Sequence, residues 1–401
     1  MKPDSAVEII RKLRGAGHEA YMVGGCVRDM VMGIEPSDYD IATSARPEEI
    51  IRMFPRTEAI GAQFGVVLVI HRGHAFEVAT FRSDEAYVDG RRPTGVVFTD
   101  AKTDVLRRDF TINGLLFDPI ENRVIDYVSG QEDIRNKIVR AIGDPQRRFE
   151  EDKLRILRAV RFGARLGYSI EPKTWEAACR MADRIRQVSI ERIREEILRI
   201  LTEGEAARGC RMLHEAGLRA QILPEVEWTT HLENSLKRMP PGPAPDFAMA
   251  LLLHETPPPI VANIVERMKF SNAEIGHIVA LVENRPRMGE ARTMSAAALK
   301  RFFRLPRFAD HLELARICTV ASGGDLRDVE YAARMFQGWS QEEISPRPLI
   351  TGDDLIALGF KPGPLFKVIL TRVEDEQLEG RLNAREAAID FVLANYNPDA
   401  P

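Results

Sequence analysis

One stretch narrows the possibilities more than any other: residues 23–41, VGGCVRDMVMGIEPSDYDI. Gly24 and Gly25 carry no Cβ, so the backbone can turn sharply and bring its N–H groups close to a ligand. The residues after them spell a short helix stopped by Gly33. N–H groups at the start of such a helix suit a phosphate, and Arg28 can reach the same anion. Asp38 and Asp40 precede an expected strand. Residues i and i+2 of a strand point the same way, so both carboxylates face one spot. Two converging carboxylates repel unless a cation sits between them, and Mg²⁺ with a nucleoside triphosphate is the common solution.

The rest of the chain is read around that site. Its 401 residues are too many for one core, so two to four domains are expected. A net charge of −4 neither demands nor excludes nucleic acid, because binding depends on local patches. The four cysteines are scattered with no C-x-x-C, so disulfides and a zinc site are not expected and a reducing cytoplasm fits. No signal peptide is expected from the charged first residues. The longest apolar run, 247–253, is far too short for a membrane span.

Residues 5–14 read as an amphipathic helix ending at the glycines 15–17. GAGHEA formally matches a dinucleotide fingerprint, but that motif needs a strand before it, and here a helix precedes it and a strand, 20–23, follows. A helix C-cap and turn is the better reading. A helix is expected near 47–53 and two strands at 65–70 and 75–82, joined by a short turn. Glu77, on the second strand, is a candidate third carboxylate or a surface group. The polar stretch 83–103 reads as a long loop, which in a compact domain is usually functional. From about residue 144 helical patterns dominate, broken by proline-rich stretches at 239–245, 256–259 and 345–349. An α/β head followed by an all-α remainder is expected.

A second cluster lies at 147–165, RRFEEDKLRILRAVRFGAR. Read as one helix, it places Arg155, Arg158, Arg161 and Arg165 within an arc of about 120°, opposite Ile156, Leu157 and Val160. The row shows no i, i+4 glutamate or lysine partners, and an unpaired arginine row favours phosphates or base edges over a solvated face. Asp152 sits three residues before Arg155. An Asp accepts hydrogen bonds and an Arg only donates them, so together they can read the Watson–Crick edge of a base.

GGCVRD with DYD, then EVATFR, RRDFTIN and EDKLRILRAVRF, in that order and spacing, closely resemble the class II tRNA nucleotidyltransferase/poly(A) polymerase family. ERIREEILRIL at 191–201 is similar to the family's neck helix, and GDDLIALGFKPGP at 352–364 to segments of its tail. The resemblance implies an α/β, polymerase-β-like nucleotidyltransferase head with a mixed sheet (1–143), a helical neck with a nucleotide-reading helix (144–205), a helical body (206–290) and a helical tail that binds tRNA (291–401). It further implies that Asp38 and Asp40 hold two Mg²⁺ ions, one at the RNA 3′-hydroxyl and one at the triphosphate. Gly25, Arg28 and Arg108 would contact the triphosphate, with Asp109 and Asn113 near the ribose. Asp152 and Arg155 would act as a protein template for CTP or ATP, supported by Arg158 and Arg161.

The family offers several products: CCA, the two C residues only, the final A only, or poly(A). The full-length 83–103 segment speaks against C-only addition. IGAQFGVV before the hairpin is closer to the tRNA-repairing members than to the poly(A) polymerases. The expectation is CCA addition to the acceptor end of tRNA in the cytoplasm, with no membrane or DNA partner. A-only addition is the first alternative and poly(A) synthesis the second. A silent RNA-binding protein is disfavoured, because Asp38, Asp40, Arg108, Asp152 and Arg155 are all present. Some members also carry a metal-dependent phosphohydrolase domain with paired His-Asp residues. Here LLLHE offers only His254 and Glu255, read as helix residues beside a proline loop, and no second metal activity is expected.

Overall fold

Ala6, Ile9, Ile10 and Leu13 recur at helical spacing, and all four are fully buried. They belong to helix α1 (Lys2–Gly15), which packs on strands β1 (Ala20–Val23) and β2 (Asp40–Thr43). After α1 the chain turns through Gly17 at φ +90°, and the His18 N–H donates to the Leu13 carbonyl at 3.1 Å. The glycines of GAGHEA thus end a helix rather than cradle a dinucleotide. The computed structural model describes residues 2–61, 65–84 and 96–397. Two compact units divide the chain: Met1–Trp228 with Arg267–Lys269, and Thr229–Glu266 with Phe270–Pro401.

The first unit holds a mixed seven-stranded sheet. Helices α2 (Gly25–Val31) and α3 (Pro47–Met53) flank β2 in the chain. Strands β3 (Thr57–Gly61), β4 (Val66–His71) and β5 (His74–Thr80) follow. Then come β6 (Arg82–Asp84), β7 (Val96–Phe98), helix α4 (Ala101–Leu106), β8 (Leu115–Asp118) and β9 (Arg123–Asp126). The strand order is β3-β4-β5-β2-β1-β8-β9, antiparallel throughout except between β2 and β5. β3, β8 and β9 were not expected from the sequence; at four or five residues each they are too short to show a period of their own.

The polar stretch 83–103 is not all loop. β6 pairs antiparallel with β7, and Asp100 caps α4 by accepting from the Thr103 N–H at 2.9 Å. Its middle, 85–95, lies outside the described residues.

After α5 (Gly130–Asn136), the expected single helix 147–165 proves to be two: α6 (Pro145–Glu151) and α7 (Leu154–Leu166). Asp152 interrupts them with an extended backbone, and its carboxylate accepts the Leu154 N–H at 3.0 Å, a local bond that competes with helix continuation. Ile156, Leu157 and Val160 are fully buried as expected, each contributing roughly 1.5–3 kcal/mol. The arginine face is covered in part, with Arg155 at 9% and Arg161 at 4% exposure, Arg158 half-buried and Arg165 exposed. Helices α8 (Pro172–Arg180), α9 (Ile190–Thr202), α10 (Ala206–Glu215) and α11 (Leu218–Ile222) complete this unit.

The second unit is helical among its described residues. One of its clusters centres on Phe302, Phe303 and Phe308, another on Ile350, Leu355, Phe360 and Ile369. No helix among the described residues is long and apolar enough to cross a membrane.

Candidate active site

Register builds the floor of the site. Val23, the last residue of β1, pairs with Asp40, the first of β2. The Gly24–Gly25 turn therefore emerges beside Asp40. Gly24 sits at φ +79°, a backbone region costly for any side chain. Its N–H donates to the Leu115 carbonyl at 3.2 Å, which ties the turn to β8. Tyr39 is buried at 7% exposure while Asp38 and Asp40 on either side are exposed, so the i, i+2 carboxylates share the outer side.

The turn ahead of β8 adds Asp109 and Asn113. It is seated by Gly130, where a Cβ would lie 2.2 Å from the Thr111 carbonyl oxygen; only glycine permits that approach. A cleft of about 370 Å³ opens over this floor, lined among others by Gly25, Arg28, Asp38, Asp40, Arg108, Asp109, Asn113, Arg158 and Arg161. Nine of the twelve expected site residues line this one cleft; Glu77, Asp152 and Arg155 are considered below.

The cleft is strongly cationic and its cations are held in place. Arg28, only 3% exposed, donates to Asp29 (2.6 and 2.9 Å) and to Asn113 Oδ1 (2.8 Å). Arg108 donates to the buried Asp104 at 2.9 Å, and its Nε is buried with no partner. Arg158 clasps Asp109 at 2.6 and 2.8 Å. Burial pushes the Asp109 carboxyl up, but Arg158 beside it more than offsets that and brings it down to about 2. Arg161 donates to Glu196 of α9 at 2.7 Å, and Arg165 to Glu203 at 3.4 Å.

The arginine row is therefore not unpaired. Arg158, Arg161 and Arg165 find partners at distant positions, which spacing along one helix could not reveal, whereas Arg155 pairs with Glu151 only four residues before it. Sequence reasoning also missed Phe162, whose ring faces the guanidinium groups of Arg161, Arg158 and Arg28 at 4.3, 5.4 and 5.5 Å. An aromatic next to Arg161 and one turn after Arg158 was the available signal. Arg165 and Arg199 line the cleft as well.

Asp152 and Arg155 are not paired with one another. Asp152 takes two hydrogen bonds from Arg192 of α9, at 2.8 and 3.2 Å. Arg155 donates to Glu151 at 2.8 Å and to the Arg148 and Arg107 carbonyls at 3.0 and 3.1 Å. Neither lines the cleft of the carboxylates, so their expected joint base reading requires these bonds to be exchanged for bonds to a base. Glu77 lies outside that lining too. Yet Ile41 pairs with Val78 across parallel strands, so Asp40 and Glu77, each one residue earlier, are lateral neighbours with exposed side chains.

Comparison with known proteins places this geometry. A family model for the poly(A) polymerase head domain matches residues 20–140, one for an RNA- and SrmB-binding site of polymerase A matches 167–229, and one for tRNA nucleotidyltransferase domain 2 matches 246–392. A CCA-adding enzyme of Levilactobacillus brevis is 32% identical over 392 residues, covering 96% of each chain. The chain belongs to the tRNA nucleotidyltransferase/poly(A) polymerase family. Another CCA-adding enzyme of this family, from Geobacillus stearothermophilus, is 42% identical over 225 residues, 55% of each chain. The solved Bacillus stearothermophilus CCA-adding enzyme in complex with CTP superposes with a TM-score of 0.81 at 30% identity, covering 98% of this chain and 99% of that one. The Thermotoga maritima enzyme complexed with tRNA, at 19% identity and a TM-score of 0.67, shares the family fold. Membership carries with it nucleotidyl transfer dependent on a divalent metal.

Proposed function

We propose that this chain adds C, C and A to the 3′ end of tRNA from CTP and ATP, without a nucleic-acid template. The observation that carries this reading is the convergence of Asp38, Asp40 and a wall of fixed arginines on one cleft. Two exposed carboxylates give the hard oxygen donors that Mg²⁺ prefers, and the buried, partnerless Arg108 Nε is a donor that a phosphate oxygen satisfies. Asp38 and Asp40 would hold Mg²⁺, which supplies Lewis-acid activation of the 3′-hydroxyl and neutralises the triphosphate. Glu77 is proposed as a third carboxylate beside Asp40.

The reaction joins the RNA 3′-oxygen to the α-phosphorus and releases pyrophosphate. Gly25, Arg28 and Arg108 bind the triphosphate, and Arg158 and Arg161 add positive charge that needs no reorganisation because Asp109 and Glu196 already fix both side chains. Asp109 and Asn113 position the ribose. Asp152 accepts from, and Arg155 donates to, the edge of the incoming base. The division into head (1–143), neck (144–205), body (206–290) and tail (291–401), the last gripping tRNA, belongs to the same proposal, as does a cytoplasmic location.

The test uses three tRNA transcripts, ending before the first C, after one C and after both. Each is incubated with Mg²⁺ and with CTP, ATP or both. Extension of all three to the full CCA end is expected. Action on the last transcript alone makes the enzyme A-adding only. No incorporation anywhere overturns the reading in favour of a silent RNA-binding protein.

A further inference from the structure

The second unit holds a cluster that nucleotidyl transfer leaves idle. Helix α12 (Thr230–Leu236) carries His231, and α13 (Pro245–Leu253) ends at His254, followed by Glu255. These three residues each bring one ligating atom within 4.8 Å of the other two. The imidazoles meet edge to face, with centroids 5.0 Å apart.

The hydrogen bonds around them suit ligation. His254 is 2% exposed, and its Nδ1 lies 2.7 Å from the Leu251 carbonyl. A carbonyl only accepts, so Nδ1 carries the proton and Nε2 keeps its lone pair. Nε2 meets Ser235 Oγ at 3.5 Å, too far for a strong bond. A backbone carbonyl on the far nitrogen is what orients imidazole metal ligands. His231 Nδ1 is buried and has no partner. Glu255 Oε2 accepts from Thr229 Oγ1 at 2.5 Å, which aims the carboxylate.

Two imidazoles and one carboxylate, with water in a fourth position, suit a borderline divalent cation better than Mg²⁺, which prefers oxygen donors. A tetrahedral site with bonds of about 2.0–2.1 Å needs ligand atoms about 3.3 Å apart, so the side chains must close by roughly 1.5 Å at most. The exposed Glu255 has the freedom to do so.

We propose that His231, His254 and Glu255 bind one divalent transition-metal ion of the Zn²⁺ class, pinning α12 to α13. The site is independent of the Mg²⁺ chemistry proposed for the head.

The experiment takes the full chain, stripped with a chelator and kept in excess Mg²⁺ to occupy oxygen-only sites, and titrates it with Co²⁺. A strong visible band of four-coordinate Co²⁺ saturating at about one equivalent is expected, displaced by Zn²⁺. His231→Ala and Glu255→Gln should weaken binding at least tenfold, while CCA addition in Mg²⁺ stays unchanged. Glu255→Gln, at an exposed position, keeps the test valid if a histidine variant fails to fold. Absence of the band in the wild-type chain, or equal binding by wild type and both variants, overturns the proposal.

Discussion

Tyr39 makes Asp38 and Asp40 a pair: because its ring is buried, both carboxylates are turned outward to the same cleft. Asp38→Asn or Asp40→Asn should reduce transfer by at least about 10³-fold while tRNA is still retained in a gel shift. Substantial residual activity would remove the metal role from that residue. Arg158 and Asp109 depend on each other differently. Asp109 is nearly buried and depressed to about 2 by Arg158, against an unfolded value near 3.9. A carboxylate depressed in the folded state stabilises fully above its unfolded value and loses that contribution as pH falls from about 4 towards 2. Arg158→Ala strands the charge and should lower stability by about 3 kcal/mol, read from the denaturant midpoint. Adding Asp109→Asn should recover part of that stability without recovering transfer. If it recovers none, the stranded carboxylate is not the source of the loss.

Helix α9 lines the site with Arg199 and holds α7 through salt bridges, and these decide how α7 is presented. Glu196 takes Arg161, Glu203 takes Arg161 and Arg165, and Arg192 takes Asp152. The same helix and its C-cap therefore grip both the cleft arginines and one half of the proposed base reader. Arg192→Ala should leave the head folded but raise misincorporation of UTP or GTP relative to CTP and ATP by about tenfold, equivalent to 1.4 kcal/mol of discrimination. Measured as kcat/KM ratios, this separates positioning from simple loss of stability, which would scale all four nucleotides alike. The hairpin of β6 and β7 frames the segment 85–95. Shortening that segment should impair the final A step more than C addition, and an unaltered product ladder on a sequencing gel would count against its part in switching nucleotides.

The two units differ in how they should respond to acid. In the second, His311 on helix Phe308–Ala321 is 2% exposed and neither ring nitrogen has a hydrogen-bond partner. Burial pushes it down to about 4; neighbouring His277 adds to this and Asp310 opposes it. Because the folded value lies below the unfolded one, the unfolded chain takes up the proton first. Stability is therefore intact above about pH 6.5 and falls as pH drops towards 4, by up to about 3 kcal/mol. Thermal melts should show the second unit losing stability first between about pH 7 and pH 5, and His311→Asn should flatten that dependence. An unchanged slope in the variant would assign the effect elsewhere.

The sequence by itself determined the local and short-range features. The glycine turn, the i, i+2 carboxylates, the buried stripe of α1 and the α/β-to-helical change all follow from spacing within a few residues, where periodicity and turn chemistry act. Tertiary structure decided what those features meet. Arg158 finds Asp109, 49 residues away, and Asp152 finds Arg192, 40 residues away. The row that spacing presented as unpaired arginines is a set of ion pairs, and the Asp–Arg pair of one helix is divided by a break at Asp152. The reason is physical: a carboxylate is drawn to whichever guanidinium the fold brings within about 3 Å, and distance in space is not encoded by distance along the chain. For the stretch 23–41, the pairing of Val23 with Asp40 joined the glycine turn to the carboxylates, a contact that two neighbouring motifs implied and only the sheet register made real.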